Sequence, residues 1–292
     1  MKSCAPKKFT VLIGVASDPV LQHIAQACHA QYSDLLWLDQ NDMGKTLFVD
    51  SVGWHHRAAG WYLAHDQIAV VYNRLAGLPK QGVSAAQRCI FELLLYLLDE
   101  VYVCVLNRPK FALSNFAKLT QLQTIELGVL QLPNSRVLQS LPNFSENWIM
   151  KSLSHERSIV YTTKSHTGPL MGAEPVLFQS RIIGDNVRVH VLFDQCFSVK
   201  IKTQSVDYRY TKTREFIAIE MPDIIKKSCI NVAQQLKLNF CGIDLIISHS
   251  DWFILEVNPA PGFQFFEQYL AQKPLTSALI NFFKKHTEVI SC

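Results

Sequence analysis

Near the C-terminus, the stretch Cys241 to Gly262 reads CGIDLIISHSDWFILEVNPAPG, and two carboxylates and one amide lie among the apolar residues on either side of its polar segment 248–251. These polar side chains belong to Asp244, Glu256 and Asn258. Carboxylate and amide oxygens are the ligands that a hard cation such as Mg²⁺ prefers, and water and phosphate can fill its remaining coordination positions. If the three side chains lie close together, the stretch predicts a metal site that also contacts phosphate.

The register of a predicted hairpin decides whether Asp244 and Glu256 meet. Side chains alternate between the two faces of a strand, so residues directly opposite each other in a hairpin share a face. A three-residue turn at 249–251 would place Asp244 opposite Glu256, with Asn258 on the same face. A two-residue turn would place the two carboxylates on opposite faces, where they would simply be half-exposed acids.

Basic residues are concentrated in the segments that precede this hairpin. Between Lys151 and Arg214 they outnumber acidic residues by about two to one. They lie on short apolar runs that predict β-strands. Cations held on a sheet favour an anionic ligand such as a phosphate group. An isolated Lys or Arg on a strand is more often a solvated side chain, so the pattern alone does not identify the binding residues.

The composition excludes several classes of protein. The 292 residues are 49% apolar and 18% charged, as expected of a folded chain. The longest apolar run, Ile90 to Leu98, is far shorter than the ~20 residues that span a bilayer, and no signal-peptide pattern is present. We therefore expect a cytoplasmic protein with no membrane partner. The eight cysteines include no Cys-x-x-Cys pair, and the net charge of +4 comes without a nucleic-acid-binding motif.

Hydrophobic patterning predicts an α/β segment followed by a strand-rich region. The strand predicted at 9–14 is followed by Asp18 and Pro19, a pair suited to begin a helix. A long helix is predicted from about Lys110 to Leu127. Short strands then dominate from about 147 onward, up to and including the hairpin.

The hairpin closely resembles the metal-binding hairpin of the ATP-grasp ligases, through Gly242-Ile243-Asp244 and Leu255-Glu256-Val257-Asn258-Pro259 with Pro261-Gly262. Segments similar to the family's other motifs stand in the right order over roughly residues 102–270. Within the family, the chain is most similar to the branch of RimK-like ribosomal-protein glutamate ligases and microviridin-type graspetide ligases.

The resemblance implies an α+β ATP-grasp fold, in which two α+β lobes grip ATP, preceded by an N-terminal α/β domain. The implied segments are 1–101 for the N-terminal domain, 102–182 for the central lobe and 183–292 for the C-terminal lobe with the hairpin. Two departures from the family's pattern concern the site. Residues 152–160 contain no glycine where the family often has a Gly-rich loop, and Asn186 stands where many members carry Asp.

The resemblance also implies roles for individual residues. Asp244, Glu256 and Asn258 are expected to hold Mg²⁺ or Mn²⁺ against the phosphates of ATP. The residues expected to bind the nucleotide are Lys118, Lys151, Gln179, Ser180, Arg181, Ile182 and Arg188. Adenine is expected to bond backbone atoms around 180–182. Arg188 and Arg209 are expected to be catalytic, because phosphoryl transfer depends on neutralising phosphate charge.

The activity implied is that of an ATP-dependent ligase. Such an enzyme activates a carboxylate as an acyl phosphate and joins it to an amine or a hydroxyl. Its partners would be a small-molecule, peptide or protein carboxylate and a nucleophile, and a homodimer is compatible with the resemblance. The alternative is a catalytically inactive ATP-grasp scaffold that binds nucleotide or peptide. Such a scaffold would be expected to lose the metal-binding acids or Lys151, and all of them are present.

Overall fold

The computed structural model describes residues 6–29, 31–112, 118–138, 148–152, 160–162, 176–203 and 214–288. For residues 118, 119, 152 and 160–162 the description covers the backbone alone. The chain divides into two compact units, which are unit 1 (1–110 with 272–292) and unit 2 (111–271).

Unit 1 combines strands with helices, and strands dominate unit 2. Their bounds in chain order are β1 Phe9–Gly14, α1 Pro19–His29, β2 Leu35–Asp39, β3 Leu47–Val49, β4 Gly53–His56, β5 Trp61–Ala64, β6 Ile68–Arg74, α2 Ala85–Tyr96, β7 Val105–Leu106, α3 Pro109–Ala112, α4 Lys118–Gln121, β8 Ser135–Leu138, β9 Trp148–Ser152, β10 Val160–Thr162, β11 Val176–Ser180, β12 Asp185–Leu192, β13 Gln195–Thr203, β14 Arg214–Ala218, α5 Asp223–Gln235, β15 Phe240–Ser248, β16 Asp251–Asn258, α6 Gln264–Glu267 and α7 Pro274–Thr287.

Unit 1 is built on a parallel sheet with strand order β2-β1-β6-β7. β1 is almost wholly buried, as expected for a parallel strand covered on both faces. The predicted start of α1 is confirmed, because the Asp18 carboxylate accepts hydrogen bonds from the N–H groups of Val20 at 2.7 Å and Leu21 at 3.2 Å. A separate antiparallel sheet of order β3-β4-β5 completes the unit's strands among the described residues.

The last helix, α7, packs in unit 1 against α1, β1 and β6. It buries Leu275, Leu279, Ile280 and Phe283, and the Tyr32 hydroxyl donates a hydrogen bond to Thr287 Oγ1 at 2.9 Å. The sequence instead predicts this helix in the C-terminal lobe, 183–292. The difference has a physical reason: amphipathic periodicity predicts that a helix buries one face but does not identify the sheet that the face covers.

Unit 2 contains two antiparallel sheets, of order β10-β9-β11-β8 and β14-β13-β12-β15-β16. Alternation along β12 directs Val187, Val189 and Val191 into the core beneath α5, which leaves Arg188 and His190 on the opposite face. Alternation along one strand thus places hydrophobic residues on one face of the sheet and chemically active residues on the other.

The long helix predicted from Lys110 to Leu127 is wrong in its second half, because α4 ends at Gln121. Three apolar residues beyond the end of α4 still pack on the core of unit 2, although they lie in turn, bend and irregular segments: Leu122, Ile125 and Leu127. Apolar residues spaced three or four apart are therefore compatible with successive turns as well as with a helix. In the described part of the chain, no helix has the length and apolar character needed to cross a membrane.

Removing the Leu279 side chain should test how strongly α7 stabilises the protein. Leu279 is fully buried, so we expect Leu279→Ala to lower the free energy of unfolding by about 2–5 kcal/mol through lost burial and an unfilled cavity. The measurement is urea denaturation followed by circular dichroism. The matched control is Leu93→Ala, since Leu93 of α2 is 37% exposed. Equal losses in the two variants would contradict a stabilising role for α7.

Candidate metal and nucleotide site

Three charged side chains form a row across neighbouring strands on one face of the five-stranded sheet. Arg188 of β12 pairs with Asp244 of β15, and Asp244 pairs with Glu256 of β16. Directly paired residues of antiparallel strands project from the same face with Cβ atoms about 5 Å apart. The two carboxylates therefore lie side by side, and we call Arg188, Asp244 and Glu256 the charged row.

The pairing of Asp244 with Glu256 arises by a route that the sequence did not predict. The turn has two residues, His249 and Ser250, since Ser248 pairs with Asp251; of the two turn lengths that the sequence leaves open, the structure has the shorter. A two-residue turn alone would separate the carboxylates. The register shifts between Asp244 and Leu245, and Leu255 is the extra residue on β16. This β-bulge restores the pairing of Asp244 with Glu256.

Arg188 and Asp244 form a largely buried ion pair. Arg188 Nη1 lies 2.7 Å from Asp244 Oδ1, and the two side chains are 7% and 20% exposed. The guanidinium lies over Gly242, where an added Cβ would be 2.6 Å from Arg188 Nη2 and 2.9 Å from Cβ of Pro261. An added side chain at this position would displace the guanidinium or shift Pro261.

The electrostatics of the row suit a bound cation. Burial raises the pKa of Asp244 and the neighbouring Glu256 adds to the rise, although Arg188 and, more weakly, Lys151 oppose it. A divalent ion would offset both the loss of hydration and the repulsion by Glu256 that keep this pKa high. Among the described residues no three His, Cys, Asp or Glu side chains form a metal site by themselves. Mg²⁺ needs only one or two carboxylates when phosphate and water complete its shell, so the row fits Mg²⁺.

Asn258 lies two residues beyond Glu256 at the end of β16, paired with Gly242. Its Oδ1 accepts a hydrogen bond from the N–H of Ala260 at 2.9 Å, which orients the amide. The adjoining backbone of Val257 is held by the buried Gln121 side chain, which bonds the N–H and C=O of Val257 at 3.3 and 3.2 Å. Hydrogen bonds therefore hold in place the strand end that carries Asn258, the predicted third metal ligand.

Lys151 belongs to the four-stranded sheet. Its Nζ donates to Gln179 Oε1 at 2.9 Å, and Gln179 Nε2 contacts Ser135 Oγ at 3.3 Å. The influence of Lys151 on the pKa of Asp244 indicates that it lies near the charged row. The bond to Gln179 orients this primary ammonium group, and such a group can pair with a phosphate.

The predicted adenine-binding backbone, 180–182, lies at the end of β11. The Ser180 N–H donates to the Asn134 carbonyl at 2.8 Å, and Arg181 and Ile182 are half-buried and outside any strand. Gly184 follows, and an added Cβ there would be 2.0 Å from the Ile247 carbonyl oxygen. This close approach places the chain that follows 180–182 against β15 at the start of β12.

Two predicted site residues cannot be located within the site. Arg209 lies outside the described residues, and Lys118 begins α4 with its side chain outside the description. Their roles stay predictions. Most of the glycine-free segment 152–160, namely residues 153–159, also lies outside the described residues.

The structure adds one buried polar residue that the sequence did not single out. His190 is fully buried, pairs with Gly242 and lies between the rings of Phe240 and Phe266, at 6.4 and 5.5 Å. Burial and the nearby Arg188 lower the pKa of His190 well below its usual value, so the ring is neutral. Strand alternation offered a signal, since His190 is two residues from Arg188 and so shares its face.

Comparison with known proteins identifies the fold. A family model described as ATP-grasp domain matches residues 117–262, half of the chain. No curated protein sequence matches the chain.

Three solved structures illustrate the likeness. Macrocyclase MdnC bound with precursor peptide MdnA, from Microcystis aeruginosa MRC, has a TM-score of 0.77 at 18% identity, covering 95% of this chain and 99% of that one. ATP-grasp ligase PsnB, complexed with a phosphomimetic variant of its minimal precursor, Mg and ADP, has a TM-score of 0.72 at 23% identity, covering 94% and 98%. D-alanine–D-alanine ligase from Bacillus anthracis has a TM-score of 0.59 at 13% identity, covering 97% of both chains. The predicted α+β ATP-grasp fold is confirmed.

Adding a methyl group at Gly242 should disturb the Arg188–Asp244 pair. Because the new Cβ would lie 2.7 Å from Arg188 Cζ, we expect Gly242→Ala to displace the guanidinium and to lower the free energy of unfolding by about 1–3 kcal/mol. The measurement is urea denaturation. Gly77→Ala is the control, since an added Cβ there meets nothing within 4 Å. A Gly242→Ala protein as stable as the control would show that the guanidinium has other room.

Proposed function

The chain belongs to the ATP-grasp family, and on that premise we propose that it is an ATP- and Mg²⁺-dependent ligase that joins a carboxylate to an amine or a hydroxyl. The observation that carries the proposal is the charged row, in which two carboxylates are paired across strands beside a buried arginine. A scaffold that only bound peptide would have no use for two adjacent acids, whose mutual repulsion a cation relieves.

The proposed reaction has two steps. In the first, the γ-phosphoryl group of ATP moves to an oxygen of the substrate carboxylate, so the bond to ADP breaks as the acyl phosphate forms. In the second, the amine or hydroxyl attacks the acyl carbon, loses its proton to the medium and displaces inorganic phosphate. Both steps depend on the alignment of reactants and on neutralisation of phosphate charge rather than on a general base.

The chain's own residues supply that alignment and charge. Arg188, fixed by its bond to Asp244, would contact the transferring phosphate through the rest of its guanidinium, and Lys151 would bind phosphate through its ammonium group. Asp244, Glu256 and Asn258 would hold Mg²⁺, which supplies charge neutralisation when bound; Mn²⁺ shares its preference for oxygen ligands. Arg209 remains a proposed catalytic residue. The proposed nucleotide site also includes Lys118 and the hinge residues Gln179, Ser180, Arg181 and Ile182.

A peptide carboxylate is the substrate class that we propose. Two of the three structural neighbours, MdnC and PsnB, are described with a precursor peptide, and each is matched over nearly its whole length. D-alanine–D-alanine ligase shares the fold with lower similarity. A cytoplasmic location completes the proposal, since ATP is supplied there and the described cysteines are all free thiols.

Neutralising Glu256 should abolish turnover. Glu256→Gln keeps the shape of the side chain but removes one of the two charges that hold the cation, so we expect ADP formation to fall by at least about a hundredfold. The measurement is coupled detection of ADP with Mg²⁺-ATP and a panel of synthetic peptides that carry Asp or Glu. Thermal unfolding should show that the fold is retained.

Glu215→Gln is the matched control. Glu215 lies on β14 of the same sheet, its side chain is 64% exposed, and it pairs with Lys202 at 3.5 Å. The control should keep wild-type turnover because exposed pairs contribute little. Undiminished ADP formation by Glu256→Gln would overturn the metal assignment.

A further inference from the structure

A cluster of aromatic rings with one arginine lies on the half of the five-stranded sheet formed by β13 and β14. We call Arg214, Phe216, Phe265 and Tyr269 the aromatic patch. The Phe216 and Tyr269 rings are stacked at 4.7 Å and 19°, and the Phe265 ring meets Phe216 edge-on at 5.0 Å. Arg214 Cζ lies 5.4 Å from the centroids of both phenylalanine rings. The four side chains therefore form one contiguous surface.

Two rings of the patch are partly exposed to solvent, although aromatic side chains next to them in the sequence are buried. Phe263 and Phe266, from the same short segment, are 0% and 8% exposed, whereas Phe265 and Tyr269 are each 38% exposed. Single exposed aromatics are common, but two of them packed together under a guanidinium leave a contiguous apolar area in water. Aromatic side chains with arginine are the composition that dominates binding energy in protein interfaces.

The patch lies on the same sheet face as the charged row. Along β14, Arg214, Phe216 and Ala218 alternate onto one face; Ala218 pairs with Val199, and Val199 pairs with Arg188. The Phe266 ring connects the two regions, since its centroid is 5.6 Å from Arg188 Cζ and 6.0 Å from the Phe216 ring. A molecule that leaves the charged row along this face would meet the patch.

The distance between the patch and the charged row sets a lower limit on the size of a molecule that contacts both. Arg214 is four residues along the strand from the level of the charged row, and it is two strands from Arg188 and three from Asp244, which corresponds to roughly 15–20 Å from those two residues. A single amino acid cannot reach both places, whereas about five residues of extended peptide can. Among the described strands, β14 also lies at one edge of the order β14-β13-β12-β15-β16, and an edge strand can pair with an added peptide strand.

The charge of the patch indicates the partner's chemistry. Lys202 and Glu215 pair with each other at 3.5 Å, and alternation places them on the opposite face from Arg214. Among the described residues of β13 and β14, Arg214 thus provides the charge on the patch side. An acidic side chain complements it, and apolar side chains complement Phe265 and Tyr269.

We propose that the aromatic patch binds a segment of the peptide substrate that carries an acidic side chain next to an aromatic one, about five residues from the carboxylate that is activated. This inference rests on the proposed ligase function and assigns its substrate to the class of acidic, aromatic-bearing peptides. The acidic side chain pairs with Arg214, and the aromatic ring packs on Phe265 and Tyr269.

The test measures peptide binding in the absence of nucleotide. The probe is a fluorescein-labelled synthetic peptide of four Gly-Glu-Phe repeats, titrated with the full chain and followed by fluorescence anisotropy. We expect Arg214→Gln and Phe265→Ala each to weaken binding by about tenfold or more. Lys202→Gln makes the same charge change on the opposite face, and Tyr62→Ala removes an aromatic of unit 1 that is 46% exposed; both controls should bind within about twofold of wild type.

Three outcomes would overturn the inference: no measurable binding of the probe, equal weakening by Lys202→Gln, or equally tight binding of a Gly-Glu-Ala peptide, which would indicate non-specific charge attraction. Circular dichroism checks folding, and if Phe265→Ala is unfolded, Arg214→Gln carries the test. Because nucleotide is omitted, the result is independent of turnover. Specific binding without any ADP formation would sink the ligase function alone, and turnover without specific binding would sink the patch alone.

Discussion

Repulsion between two neighbouring carboxylates is the constraint on which the rest of this site depends. Asp244 and Glu256 are directly opposite each other across two strands, an arrangement that destabilises a sheet unless positive charge is near. Arg188 supplies part of that charge from the third strand, and its buried guanidinium in turn needs Gly242 beneath it. The pKa of Asp244 remains raised, so compensation by the protein is incomplete and a cation has a place to act.

The sheet holds these groups through its backbone rather than through side-chain packing alone. Arg188, Asp244 and Glu256 come from three consecutive strands, so their spacing is set by the strand ladder. The opposite side of the same strands forms the core beneath α5. A one-residue slip of register would move the acids into that core, where they would be buried without partners. Packing of the hydrophobic face therefore fixes the strand register that places the two carboxylates side by side.

The sequence predicted the residues of this site better than it predicted the means of assembling them. The spacing of Asp244, Glu256 and Asn258 and the start of α1 at Asp18 follow local rules, and family resemblance located Lys151 and Arg188. The two-residue turn and the bulge at Leu255 were not predictable, since either turn length is compatible with residues 248–252 and a bulge leaves no fixed composition. The partners of α7 and the cluster around Arg214 depend on contacts between segments far apart in the chain, which periodicity does not encode.

The position of α7 has a consequence for the order in which the protein can fold during synthesis. Unit 1 is discontinuous, because residues 111–271 are inserted between its parallel sheet and the helix that packs on that sheet. The sheet leaves the ribosome first, yet its α7-facing surface stays exposed until roughly 160 more residues have been made. At typical elongation rates that interval is about ten to thirty seconds. Unit 2, whose residues are contiguous, can therefore complete its fold before the unit that precedes it.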